Sequence, residues 1–233
     1  MPELTERFFE SLISGDRPGS RRIVEEALAT SSPSALITDL FWPTYEMIER
    51  LYRSDQLGKL SHHLATRLLR VLVDQNAARL TPQAARGRSV LALCGPRDSD
   101  ELGAQMAVDL IERSGFEVRF GGGGIASDEI MAHIHNERPQ VLLMFASGAN
   151  DLPQIRQMID QLHEIGACPD LQIVVGAGVF NRADGLAEEI GADLWARNPL
   201  ELVEVLVEEP ERRFEANQRS VGRTKKKVRR DAA

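Results

Sequence analysis

The chain has 233 residues, 42% of them hydrophobic and 27% charged, which excludes a disordered protein and suffices for a hydrophobic core. No apolar run approaches the roughly 20 residues of a membrane helix, and the opening MPELTERFFE lacks the basic-then-apolar order of a signal peptide. Cys94 and Cys168 are too few for a disulfide framework or a four-cysteine zinc site, so a cytoplasmic location is expected. The net charge of −7 hides an asymmetry: from Glu211 onward nine basic residues face three acidic ones, a net +6 that leaves −13 for the rest. An acidic body argues against a broad nucleic-acid surface. The basic end reads as a solvated, disordered tail over residues 209–233, the one segment suited to touch nucleic acid.

In chain order, the spacing of apolar residues predicts helices up to about Ala85. Phe8, Phe9, Leu12 and Ile13 form a first stripe, and Ile23, Val24, Ala27 and Leu28 a second, with a turn over Ser14–Gly19 between them. Ser32 and Pro33 suit the N-cap and first position of a third helix that runs to about Arg53, with a kink at Pro43. A fourth helix starts at Ser61. These make a four-helix bundle over residues 1–85. After a polar connection the period changes. Short apolar runs at Ser89–Cys94, Glu117–Phe120, Gln140–Ala146, Leu171–Val175 and Asp193–Ala196 alternate with helical segments at Glu101–Arg113, Ser127–Asn136, Leu152–Ile165, Arg182–Ile190 and Pro199–Val207. That alternation predicts an α/β fold over residues 89–208, a doubly wound five-stranded parallel sheet.

In such sheets ligands sit beyond the carboxyl ends of the strands. The loop Gly95–Gly103 follows the first strand, with Asp98 or Ser99 as a helix cap. Gly121-x-Gly123-x-x-Ala126 matches a dinucleotide pattern but follows the second strand, and no acidic residue ends the third, so it reads as a turn. The small residues of Ala146–Asn150 and Gly176–Gly178 suggest a slot between strand ends, deep enough for a long ligand tail. His62, His63, His133, His135 and His163 have no partners at standard metal spacing, and Cys94 reads as a core residue.

The order of these segments resembles the cobalamin-binding module of corrinoid methyl carriers, methionine synthase and light-sensing cobalamin regulators: a helical-bundle cap and a Rossmann-like domain. The resemblance spans Leu4 to Val207. It rests on Ser14–Arg17 before Ile23–Leu28, Phe41-Trp42-Pro43 before Ile48–Tyr52, Gln56–Thr66, Arg138–Val141 and Gly191–Asp193. It implies cobalamin between bundle and sheet. The family's D-x-H-x-x-G loop falls on Asp98–Gly103, which keeps Asp98 and Gly103 but has Asp100 where the cobalt-binding histidine stands. Its third-loop serine is matched by Ser147, although a gapless alignment puts Phe145 there; its paired glycines are matched by Gly176 and, one place displaced, Gly178. In the bundle, Tyr52 replaces a tryptophan over the upper corrin face, and His62 and His63 fall on a Glu-His pair, with His63 a candidate upper ligand.

Cobalt favours imidazole over carboxylate, so the usual lower ligation is unavailable. The resemblance therefore implies a regulatory or sensor module that binds cobalamin without a lower histidine, and not an enzyme in its own right. The alternatives are a corrinoid methyl carrier for a methyltransferase, and a haem-binding or ligand-free interaction module of the same fold. A protein partner or a second copy of the chain is expected, and no membrane.

Overall fold

The computed structural model describes residues 2–166, 168–176 and 178–215; the lysine- and arginine-rich end of the predicted tail lies outside the described residues. Helix α1 (Pro2–Ile13) buries Phe8 and Leu12, and α2 (Arg17–Leu28) buries Ile23, Val24 and Ala27. Asp16 caps α2, its carboxylate accepting the Gly19 N–H at 3.0 Å.

The long third helix is divided. Its first piece is α3 (Pro33–Leu36), where the Ser32 hydroxyl accepts the Ala35 N–H at 3.1 Å, as the sequence predicts. A π-helical turn follows at Ile37–Phe41, and then α4 (Trp42–Arg53). The expected kink takes this form because Pro43 has no N–H to donate and its ring crowds the preceding turn. The chain widens by one residue instead, and the Trp42 N–H bonds to the Ile37 carbonyl. Within the wide turn Phe41 stacks on Phe8 at 5.7 Å. Helix α5 (Lys59–Ala77) starts two residues before the predicted Ser61. The connection to the sheet is pinned by backbone bonds from Gln83 to Arg113 and from Arg86 to Gly115.

The sheet consists of β1 (Ser89–Leu93), β2 (Glu117–Gly122), β3 (Val141–Phe145), β4 (Gln172–Gly176) and β5 (Leu194–Ala196), in the order β2-β1-β3-β4-β5. All its pairings are parallel. Helices α6 (Asp98–Arg113) and α10 (Pro199–Glu208) cover one face, and α7 (Ser127–Glu137), α8 (Leu152–Ile165) and α9 (Leu186–Ile190) the other. The helix predicted over Arg182–Ile190 is shorter than expected, because Gly185 adopts φ 77° and the helix begins only after it. The α/β architecture is thus the predicted one, with the topological switch between β1 and β3.

Helix α6 is the hinge of the packing. Leu102, Met106 and Leu110 join the bundle core, whereas Ala104, Ala107, Val108 and Ile111 join the core beneath the sheet. A helix apolar on two faces is buried between two layers, so bundle and sheet share one element rather than meeting only at their surfaces. This leaves a cleft across the carboxyl ends of β1, β3 and β4, roofed by α4 and α5.

Candidate functional site between bundle and sheet

Two pockets lie between bundle and sheet. The larger, about 800 Å³, lies between the α4–α5 face and the β1–α6 loop, with Tyr52, His62 and His63 on one wall and Arg97, Asp98 and Ser99 on the other. The smaller, about 300 Å³, lies between α4 and the loops after β3 and β4, and includes Ser147 and Gly178. Tyr52, His62, His63 and Asp98 thus line the larger pocket and Ser147 and Gly178 the smaller, while Asp100, Gly103 and Gly176 lie in packed surroundings.

Each of these residues is placed by a specific contact. His62 is buried and turned into the bundle, with Nε2 2.6 Å from Glu49 Oε1. A carboxylate can only accept, so that hydrogen bond fixes a proton on Nε2. The ring stacks on Tyr52 at 3.9 Å, and its Nδ1 is buried without a partner. His63 is exposed and meets His62 edge-on at 5.9 Å, so it is the more accessible of the two histidines on this wall. Glu49, which the sequence reading missed, also lies 3.8 Å from Arg53.

On the opposite wall Asp98 is exposed, and its carbonyl accepts from Arg70 at 2.7 Å. Asp100 is buried and fully engaged. Arg97 Nη2 donates to Oδ1 at 2.7 Å and Arg97 Nε to Oδ2 at 3.0 Å, a bidentate pair. The Arg97 N–H also donates to Oδ2 at 3.3 Å. Asp100 therefore caps α6, the role expected of Asp98 or Ser99; helix α6 begins three residues before the predicted Glu101 for this reason. The legible signal was an aspartate at the third helical position.

Gly103 does not open space for a ligand. A Cβ there would meet the Tyr45 Oη at 2.8 Å and its ring carbons at 3.0 Å. Tyr45 reaches down from α4, is buried, and donates to the Ser99 carbonyl at 2.9 Å. Burial and the nearby Glu49 and Asp100 carboxylates raise its phenol well above the ordinary value. Gly176 pairs in register with Phe145, whose ring would touch a Cβ on it at 3.5 Å. The strand register thus puts Phe145 beside Gly176. Ser147 lies past the strand end, where its carbonyl accepts from Arg182 at 2.7 Å. A Cβ on Gly178 would sit 3.1 Å from Ser147 Cα. The small residues Gly176 and Gly178 are packed against Phe145 and Ser147, and open space lies beside them, where Ser147 and Gly178 line the smaller pocket.

The cleft concentrates cations. Seven arginines and four carboxylates line the two pockets, in a chain whose body is strongly acidic. Burial, and then the charges of Arg53 and Arg97, lower the Arg182 guanidinium from its usual value. On the α7–α8 side of the sheet a separate cavity of about 300 Å³ is lined by Cys94, Met144, Ile155 and the Gly122–Ala126 turn. Burial, then Glu101 and Asp100, pushes the Cys94 thiol up to about 12, so it stays protonated. The glycine pattern at 121–126 is structural: a Cβ on Gly123 would collide with the Gly95 carbonyl.

Among the described residues, no helix is long and apolar enough to cross a membrane. The B12 binding domain model matches residues 88–204, and a second B12 binding domain model, for the helical cap, matches residues 4–75. No curated protein matches the chain. Among solved structures, the monomethylamine corrinoid protein of Methanosarcina barkeri aligns with TM-score 0.68 and 16% identity, over 89% of this chain and 98% of its own. A cobalamin-binding protein from Desulfitobacterium hafniense aligns with TM-score 0.47 and 19% identity, over 87% and 97%. The methanol:cobalamin methyltransferase complex of Methanosarcina barkeri aligns with TM-score 0.48 and 15% identity, over 93% and 83%. The first of these shares the bundle-and-sheet fold described above. The chain belongs to the B12 binding domain family, and cobalamin is the cofactor that goes with it.

Proposed function

We propose that the chain is a regulatory module that holds cobalamin in the cleft between bundle and sheet without a protein ligand on the lower face of cobalt. The fit of the residues to the group is divided. The larger pocket of about 800 Å³, with the stacked Tyr52 and His62 rings on its wall, suits a bulky planar ring. The lower position does not fit protein ligation: Asp100 is a carboxylate, and Arg97 occupies both its oxygens.

The observation that carries the regulatory reading is the pair of contacts clasping the cleft. Tyr45 donates to the Ser99 carbonyl, and Arg70 donates to the Asp98 carbonyl. Both join bundle helices to the loop beside the ligand position. A group in the cleft meets the very bonds that set the angle between bundle and sheet, so occupancy shifts that angle. Hydrogen exchange with and without hydroxocobalamin tests this. The expected result is altered protection at residues 45–63 and 97–103. Bound cobalamin with unchanged exchange there contradicts a regulatory hinge.

A second reading, a corrinoid methyl carrier serving a separate methyltransferase, is supported by the match over 98% of the monomethylamine corrinoid protein's length. It requires the bound cobalt to be reduced and methylated in turnover with a methyltransferase. A loaded protein inert in that assay removes this reading.

A further inference from the structure

We propose a second binding site inside the bundle, between α2 and α5, for a small neutral molecule that joins one apolar ring to one O–H or N–H donor. The site goes beyond the cobalamin reading and does not depend on it. Its pocket has about 220 Å³ and, among the described residues, shares no lining residue with the two pockets between bundle and sheet.

The floor of the pocket is apolar. Val24 and Leu28 come from α2 and Leu72 from α5, and Val24 and Leu72 belong to the bundle core. An apolar cavity of about 150 Å³ is enough to hold one benzene ring, so this pocket suits a single substituted ring. At the rim Arg79 of α5 reaches across to Glu25 of α2 at 2.8 Å, an exposed ion pair in which each charge answers the other.

Asn76 selects the polar end of the ligand. It lines the pocket, and it is only 2% exposed. Its Nδ2 donates to the Pro33 carbonyl at 2.9 Å. A carbonyl can only accept, so this bond fixes which way the amide faces and turns Oδ1 away from Pro33. Oδ1 is buried and has no hydrogen-bond partner among the described residues. An unpaired buried acceptor is unfavourable, and a donor carried in on a ligand relieves it. A carboxylate cannot, because it is itself an acceptor. Arg21 on the rim adds a positive charge, so an anionic ring is the rival to be tested.

The test is a nuclear magnetic resonance titration of the full chain with phenol, anisole and benzoate, read at the methyl groups of Val24, Leu28 and Leu72. Phenol and anisole share the ring, and only phenol carries the donor. The expected result is saturable shifts at these methyls, with phenol bound about fivefold more tightly than anisole. Anisole bound as tightly as phenol shows that Oδ1 is not used and overturns the inference. Benzoate bound more tightly than phenol overturns the neutral class. Unmoved methyls at about 10 mM phenol mean that Asn76 takes an ordered water at most, and also overturn it. In a folded Asn76→Leu protein the advantage of phenol is expected to vanish, and its persistence removes Asn76 as the acceptor. The phenol and anisole comparison uses the parent chain, so it decides the matter even where that variant does not fold.

Discussion

His62 and His63 are neighbours in sequence and opposites in environment. His62 is buried, bonded to Glu49 and stacked on Tyr52, whereas His63 is exposed. We predict that His62→Ala destabilises the fold by about 2 kcal/mol, because it strands the Glu49 carboxylate in the bundle. His63→Ala is expected to stay within about 0.5 kcal/mol of the parent. Urea denaturation separates the two. Asp109 offers a pH test. It is buried on α6, bonded through Oδ1 to Gln105 at 2.6 Å, with Oδ2 unpartnered. Burial raises its pKa to about 6, with smaller contributions from Glu112 and Asp74. Because the folded state prefers the neutral acid, the associated stability is present below about pH 4 and is lost as pH rises through about 6. Asp109→Asn is therefore predicted to be more stable than the parent by about 2 kcal/mol at about pH 8, with the gap closing below about pH 4. At this scale the acidic character of position 100 was legible in the sequence. Its capture by Arg97 was not, because a bidentate pair depends on rotamers that the sequence does not display.

Among the elements, α6 carries the most. Its periodicity identified a helix, and its start was misplaced by three residues because the cap is an aspartate inside the first turn. Its second buried face, Leu102, Met106 and Leu110, is visible in the sequence as ordinary helical spacing. Nothing there says that the partner is the bundle. Gly103→Ala tests this junction. The new Cβ would meet Tyr45, a buried ring tied to the Ser99 carbonyl. A loss of about 1–3 kcal/mol is expected, with weaker bundle–sheet coupling. Tyr45→Phe keeps the ring and removes only the bond to Ser99, so a cost of about 1 kcal/mol is expected in the same urea assay. The third helix shows a different limit. Pro43 announced a kink, but whether a chain bends or inserts a π turn is decided by what it packs against, here Phe41 on Phe8.

For the whole molecule, the shared helix makes a prediction about cooperativity. The chain has two tryptophans, Trp42 in the bundle and Trp195 in β5. Single-tryptophan proteins, Trp42→Phe and Trp195→Phe, are expected to report the same urea midpoint, since neither layer keeps its core when α6 unfolds. Separated midpoints would mean two independent domains. The two-part architecture follows from the change of hydrophobic period near residue 89, whereas the order of the strands is read only from the structure. The packing of Gly176 against Phe145 does not follow from that period, because small residues are compatible with a ligand or with close packing, and the strand register is what sets the two side by side.

Cobalamin is proposed to sit between bundle and sheet with no protein nitrogen on the lower face of cobalt. The most direct measurement is the electron paramagnetic resonance spectrum of the cob(II)alamin complex, prepared with natural-abundance and with fully ¹⁵N-labelled protein and desalted before recording, with haem as a parallel ligand. The account predicts retained cobalamin whose nitrogen splitting is the same in both preparations, because the coordinating nitrogen belongs to dimethylbenzimidazole. A splitting that changes with the label places a histidine of the chain on cobalt. That result, or retention of haem in place of cobalamin, would contradict the account.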